Sequence, residues 1–178
     1  MSKHLPRSTD ERLDELQRLW TPWRMAYIRA PEEPGAGCPF CELPARDPAE
    51  DPQTLIVHRG VTAFLILNAF PYNPGHLMSV PYRHIEGYDQ LTAEELTEMG
   101  DLCQRGMRAL RTCSSPHGFN LGVNVGVAAG AGIADHIHQH VVPRWGGDTN
   151  FMTVVGQTRV LPELLEETYA RLVEAFEA

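Results

Sequence analysis

Asp135-His136-Ile137-His138-Gln139-His140-Val141-Val142-Pro143 is the stretch on which the reading of this 178-residue chain turns. Side chains on an extended backbone alternate between faces, so a strand over 136–143 stacks His136, His138 and His140 on one surface and turns Ile137 and Val141 to the other. Gln139 fits that second, apolar face poorly. Three of the chain's eight histidines stand in this row, and buried imidazoles need hydrogen-bond partners, which favours a chemical role over packing. Two chemistries suit such a row. One is a transition-metal site with a coordination position left open for water. The other is a nucleophilic imidazole whose neighbours set its tautomer and handle a leaving-group proton. The flanking run Asn124-Val125-Gly126-Val127-Ala128-Ala129-Gly130-Ala131-Gly132 decides for the second. Its small residues let the backbone close around a ligand with N–H groups pointing inward, an anion cradle beside a nucleophile.

Outward from this strand, the segment 54–58, a turn at Arg59-Gly60 and the segment 61–68 read as a hairpin. Pro71-Tyr72-Asn73-Pro74-Gly75 is turn chemistry ahead of a further strand from His76 to Pro81. Thr92-Ala93-Glu94-Glu95 supplies a capping box for a helix with the apolar face Leu96, Met99, Cys103, Met107 and Leu110, ended by Ser114-Ser115-Pro116-His117-Gly118. Strands are expected at 119–125 and 136–143, with a short one near 151–155. A last helix opens around Pro162 and is expected to bury Leu164, Leu165, Thr168, Leu172 and Phe176. Near the start, Leu13, Leu16, Leu19 and Trp20 have helical spacing over 10–20. The fold class is therefore α+β: a mainly antiparallel five- to six-stranded sheet with a long crossover helix and terminal helices. One domain is expected over 1–178, with an N-terminal helical extension (about 1–30) and an irregular Pro-rich arm (about 31–52).

Fifteen Lys and Arg against 23 Asp and Glu give a net charge of −8, which disfavours nucleic acid and anionic membrane surfaces as partners. No apolar run is long enough to span a bilayer, and MSKHLPRSTDERLDELQ lacks the apolar core of a signal peptide, so a cytoplasmic protein is expected. Its four cysteines, at 38, 41, 103 and 113, then read as thiols or metal ligands rather than disulfides, with Cys103 on the apolar face of the long helix. Cys38-Pro39-Phe40-Cys41 has the spacing of a zinc knuckle. A thioredoxin-like redox pair would follow a strand and open a helix, and the flanking Pro34-Gly35-Ala36-Gly37 and Pro44 favour the metal. His58 and His117 read as surface or turn histidines.

The run from His136 to Val142, His-apolar-His-x-His-apolar-apolar, resembles the signature of the histidine triad superfamily of nucleotidyl hydrolases and transferases, with Gln139 at a position that is apolar in most members. Asn68 and the pair Gly75-His76 resemble the family's ribose-binding Asn and Gly-His turn, and the order of elements fits from about residue 38 to 145. The blocks Leu19-Trp20-Thr21-Pro22-Trp23-Arg24, Tyr72-Asn73-Pro74-Gly75-His76, Pro116-His117-Gly118-Phe119-Asn120 and Pro143-Arg144-Trp145-Gly146-Gly147-Asp148 are similar to the bacterial branch that includes diadenosine tetraphosphate phosphorylases.

The resemblance implies that His138 attacks an α-phosphorus to form a nucleotidyl-imidazole intermediate, which water or inorganic phosphate then resolves. His140 would contact the phosphoryl oxygens and assist the leaving group, with His136 completing the catalytic set. Asn124 would take the position of a phosphate-binding amide, and Asn68 would hold the ribose beside the Gly-His turn of His76. Backbone amides of Gly130–Gly132 can stabilise the equatorial oxygens without a lysine, and Trp145 and Asn150 are candidates to reach distal phosphates. Phe64 and Ile66 are candidates to wall the base, or simply core. The resemblance also adds His84 and His136 to Cys38 and Cys41 as ligands of a structural zinc, with no organic cofactor. The implied partners are adenine nucleotides or dinucleoside polyphosphates, with inorganic phosphate as one acceptor, and a second copy of the chain in a homodimer. A nucleoside phosphoramidate hydrolase and a non-enzymatic nucleotide-binding protein are the alternatives.

Overall fold

Runs of aliphatic and aromatic residues pair into one antiparallel sheet. The computed structural model describes residues 37–148 and 163–178. Its strands are β1 (Ile56–Arg59), β2 (Ala63–Leu67), β3 (Leu77–Pro81), β4 (Gly118–Val123) and β5 (Gln139–Arg144), in the order β1-β2-β3-β5-β4. Its helices are α1 (Pro39–Glu42), α2 (Asp51–Thr54), α3 (Ala93–Ser114) and α4 (Leu165–Glu177). The α+β architecture with a long crossover helix is thus the one observed. The helix expected over 10–20 and the strand near 151–155 lie outside the described residues.

β2 and β3 are buried on both faces. Leu65, Leu67, Leu77 and Val141 turn to one side, against Met99, Leu102 and Leu110 of α3 and Leu172 of α4. Phe64, Ile66, Met78 and Val80 turn to the other, against Phe40 of α1. Burying each such side chain contributes about 1.5–3 kcal/mol. Register carries this division to β5: Leu77 is paired with Val141 and Met78 with His140, so His140 emerges on the face covered by the arm.

Several local expectations are corrected. Leu96 is 40% exposed; Glu95 occupies the buried position instead, because its carboxylate meets the Arg83 guanidinium at 2.7 Å and closes the Thr92 capping box. Leu164 is 64% exposed, because α4 begins one residue later and buries Thr168, Tyr169 and Leu172. The Tyr169 hydroxyl donates to the Ile56 carbonyl at 2.8 Å and fastens α4 to β1. The hairpin turn lies beyond Arg59, where the Glu98 carboxylate accepts the N–H groups of Val61, Thr62 and Ala63. The arm is less irregular than its composition predicts. Prolines open α1, the 3-10 turn Pro48–Glu50 and α2, where a missing N–H costs nothing. Arg59 holds the arm to β1, pairing with Asp51 at 2.8 Å and donating to the Pro44 carbonyl at 2.7 Å.

Gly75 and Gly106 are required by geometry near the sheet. Gly75 has φ +76, and a Cβ at Gly106 would lie 2.8 Å from Leu77 Cδ1, so α3 approaches the sheet closely there. Cys103 is buried in the core as expected, and burial pushes its thiol up to about 11. Among the described residues no helix is long and apolar enough to cross a membrane.

The buried Glu95 yields a stability prediction. Its hydrogen bond to Arg83 holds the carboxyl down from an ordinary 4.5 to about 2. A depressed folded pKa stabilises above the unfolded value, and that stabilisation fades as pH falls toward the folded one. Glu95→Gln should lower the melting temperature by roughly 3–6 °C at pH 7, and by less than half as much at pH 3. Thermal unfolding at the two pH values checks this; an equal loss at both contradicts the ion pair's role.

Candidate functional site

β5 begins at Gln139, so only His140 belongs to the strand; His136 and His138 lie in the segment that feeds it. This corrects the expectation of one strand face carrying all three rings. The feeding segment is pinned by the Ile137 N–H, which donates to the Ile85 carbonyl. His138 Nδ1 lies 2.8 Å from the backbone oxygen of His136. A carbonyl only accepts, so His138 carries its proton on Nδ1 and its lone pair on Nε2.

His140 is oriented from the opposite side, its Nδ1 2.9 Å from Nε2 of His76. The Tyr72 N–H donates to His76 Nδ1 at 3.1 Å, which leaves the His76 proton on Nε2 to donate to His140. Neutral His140 therefore holds its own proton on Nε2. The rings of His138 and His140 meet edge to face at 4.8 Å, and Tyr72 stacks over His140 at 5.8 Å.

His138 and His140 line a cavity of about 210 Å³. Ile66 and Met78 rise from the sheet, Pro39, Phe40 and Leu43 come from the arm, and Asn68, Tyr72, Gly132 and Ile133 complete the rim. An apolar slot ending in two imidazoles and an amide suits a flat aromatic group that carries an anionic tail. Asn68 is fixed in orientation: its Oδ1 accepts from the Phe70 N–H at 2.9 Å, and its Nδ2 faces His76 Nδ1 at 3.3 Å.

The other site candidates fall elsewhere. His76 is fully buried beneath His140 and is not among the residues that line the cavity. Phe64 packs wholly in the core against Tyr82 at 5.4 Å, and of the two proposed base walls only Ile66 lines the cavity. Asn124, Gly130 and Trp145 do not line it. The Trp145 indole donates to the Ser114 carbonyl at the end of α3. The expected Gly130–Gly132 cradle is also revised. Positive φ at Gly126 and Gly130 winds this loop so that the N–H groups of Ala129, Gly130 and Ala131 donate within it, and Gly132 alone of the three borders the cavity. Asn150 lies outside the described residues.

His136 turns away from the cavity. Its Nε2–H donates to the Pro81 carbonyl at 2.9 Å, which leaves Nδ1 as a lone-pair donor 3.3 Å from Cys38 Sγ and 3.6 Å from Cys41 Sγ. His84 Nδ1 lies 3.3 Å from Cys41 Sγ, and the four donor atoms are all within 4.8 Å of one another. Two thiols and two imidazoles, one oriented by a carbonyl behind it, fit a tetrahedral ion. Burial pushes the Cys38 thiol up and the His136 imidazole down; a cation at their centre would favour the thiolate.

Among the cavity residues given no site role from the sequence, two matter most. Phe40 packs on His136 at 5.6 Å and on His138 at 5.0 Å, so it is shared by the metal cluster and the cavity. An aromatic residue between two spaced cysteines was the available signal. Tyr72 was visible as a turn residue and as part of a resembling block but not as a ring over His140, because its ring contacts depend on pairing between β3 and β5.

The chain matches the family model of the HIT domain over residues 49–147. It is 46% identical over 162 residues, 87% of this chain and 82% of the relative, to an AP-4-A phosphorylase of Mycobacterium tuberculosis (strain ATCC 25618 / H37Rv). Among solved structures it is similar to a Zn-bound histidine triad family protein from Mycobacterium smegmatis, with TM-score 0.58 and 30% identity over 69% of this chain and 84% of that one. It also shares the fold of a hypothetical histidine triad nucleotide-binding protein from Sulfolobus tokodaii, with TM-score 0.60 and 23% identity over 79% of this chain and 92% of that one.

The donor cluster makes a spectroscopic prediction. Cobalt(II) added to metal-free protein should saturate at about one ion per chain with thiolate charge-transfer absorbance, and Cys41→Ser should bind at least roughly tenfold more weakly. Equal titrations for the two proteins would exclude this set as the ligands.

Proposed function

The chain belongs to the HIT domain family, and on that premise we propose that it is an enzyme cleaving dinucleoside polyphosphates, such as diadenosine tetraphosphate, at an α-phosphate through a covalent adduct on His138. The observation that carries this reading is the 2.8 Å hydrogen bond from His138 Nδ1–H to the His136 carbonyl. It places the lone pair of a cavity-lining ring on the nitrogen remote from the backbone, as attack on phosphorus requires. The relationship to an AP-4-A phosphorylase supports the substrate class.

The base enters the slot between Phe40, Leu43, Ile66 and Met78, and the ribose lies at Asn68. His138 Nε2 forms a bond to the α-phosphorus while the bond from that phosphorus to the bridging oxygen breaks, releasing a nucleoside triphosphate from the tetraphosphate. The His138 ring keeps its Nδ1 proton, and the His136 carbonyl stabilises the positive charge that the adduct places on the imidazole. Neutral His140 offers Nε2–H to the phosphoryl oxygens, a geometry supported by the donor His76 behind it. Water or inorganic phosphate then displaces the nucleotide from His138. Cys38, Cys41, His84 and His136 would hold a zinc ion, which would bind the two thiolates and cross-link the arm to the segment after β3 and to the segment before β5. His136 thereby serves the metal rather than the reacting atoms, and the catalytic pair is His138 and His140.

Product analysis with diadenosine tetraphosphate tests the proposal. ATP with ADP is expected when phosphate resolves the adduct, and ATP with AMP when water does. His138→Ala should lose at least about a thousandfold in kcat while binding AMP within a few-fold of wild type. Wild-type protein that binds AMP but turns over no dinucleoside polyphosphate would overturn the proposal. Cleavage of a nucleoside phosphoramidate instead would then identify the alternative hydrolase.

A further inference from the structure

Two short motifs far apart in the chain meet at the end of β5. Asn73, 3% exposed, donates through Nδ2 to the Pro143 carbonyl and to Asp148 Oδ2, each at 2.8 Å. The Asp148 carboxylate also accepts from Arg144 Nε at 2.6 Å, from Arg144 Nη2 at 2.9 Å and from the Trp145 N–H at 3.2 Å. Arg144 Nη1 in turn donates to Asn120 Oδ1 of β4 at 2.7 Å. The acceptor is therefore fixed by two strands before Asn73 reaches it.

On its other side Asn73 belongs to the turn that positions His76. Its backbone carbonyl accepts the His76 N–H at 3.1 Å, and the adjacent Tyr72 N–H is the donor to His76 Nδ1. We infer that Asn73 and Asp148 are positioning residues for nucleotidyl transfer: their hydrogen bond holds the turn 72–76 against β5 so that His76 presents Nε2–H to His140 and His140 keeps its proton on Nε2. The inference rests on the roles of His138 and His140 proposed above. Neither Asn73 nor Asp148 lines the cavity, so they act only through the rings. A buried amide anchored on a charged acceptor makes one of the stronger hydrogen bonds available to a neutral side chain. Misplacing a reacting group by a fraction of an ångström to an ångström is enough to slow a reaction strongly while leaving binding intact.

Asn73→Ala removes the clamp without changing the required backbone, because residue 73 is not in the left-handed region. Asp148→Asn weakens the same contact from the other side and preserves its shape. Three measurements are made on each protein: the ¹⁵N shifts of the His76 and His140 rings, the AMP dissociation constant, and kcat with diadenosine tetraphosphate. The expected result is a fall in kcat of about 10- to 100-fold with AMP affinity within about threefold, and a mixture of His140 tautomers where wild type shows one. Unchanged tautomers in a folded variant overturn the inference, whether or not kcat falls. If Asn73→Ala does not fold, Asp148→Asn decides by the same criteria. If wild type shows no turnover, the proposed reaction fails, while the ring spectra still decide whether the clamp exists.

Discussion

The hydrogen bond from His138 to the backbone oxygen of its second predecessor, His136, is the contact on which the site depends. A carbonyl cannot donate, so this single bond selects one tautomer of a ring that would otherwise populate two. Its reliability comes from residue 136 itself. The His136 ring donates to the Pro81 carbonyl on one side and faces two thiols on the other, while the next N–H is held by Ile85. The carbonyl that orients His138 therefore belongs to a residue fixed through both its side chain and its neighbouring backbone. Side chains locked in this way keep their geometry when a ligand arrives, and do not need to be reorganised by it.

The same constraint explains why the arm matters. Phe40 lies between the cysteines of the donor cluster and also walls the cavity against His138. One short helical turn thus brings the thiols to His84 and His136 and closes one side of the slot, the other side being the sheet face that carries Ile66, Met78 and His140. The face exists because β2 and β3 are covered twice, by α3 and α4 on one side and by the arm on the other. Four buried imidazoles, His76, His136, His138 and His140, would be costly in such an interior without partners. The hydrogen bonds to His76, His136, His138 Nδ1 and His140 Nδ1 that offset this cost are the same ones that set their tautomers.

A chain with a formal charge of −8 is compatible with anionic substrates on this arrangement, because what acts at the cavity is local. The Nε2–H of His140 and the Asn68 amide provide donors there, while Asp148, Glu95 and Glu98 are engaged elsewhere. The Arg144 guanidinium beside Asp148 holds its carboxyl well below the usual carboxylate range, and Glu95 and Glu98 are committed to Arg83 and to the hairpin turn. Net charge governs long-range encounter more than the chemistry of a closed pocket.

Period and punctuation in the amino-acid order were enough for the sheet, the capping box of α3, the strong turn before β3 and the two histidine-bearing segments. Each of these depends on neighbours a few residues apart, through alternation, a cap or a required positive φ. Local order also marked Cys38 and Cys41 as a ligand pair. It could not show that Glu95 rather than Leu96 turns inward, since the choice depends on Arg83 from another segment. Nor could it show that His136 faces the thiols while His138 and His140 face the cavity, since that division follows from where β5 begins and which residue of β3 it meets. Ring tautomers, the shared role of Phe40 and the meeting of Asn73 with Asp148 were decided by tertiary structure alone. All but the His138 bond are contacts between residues distant in the chain, and that bond lies in a segment held by Pro81 and Ile85; a hydrogen bond's direction is settled only when its partner is in place.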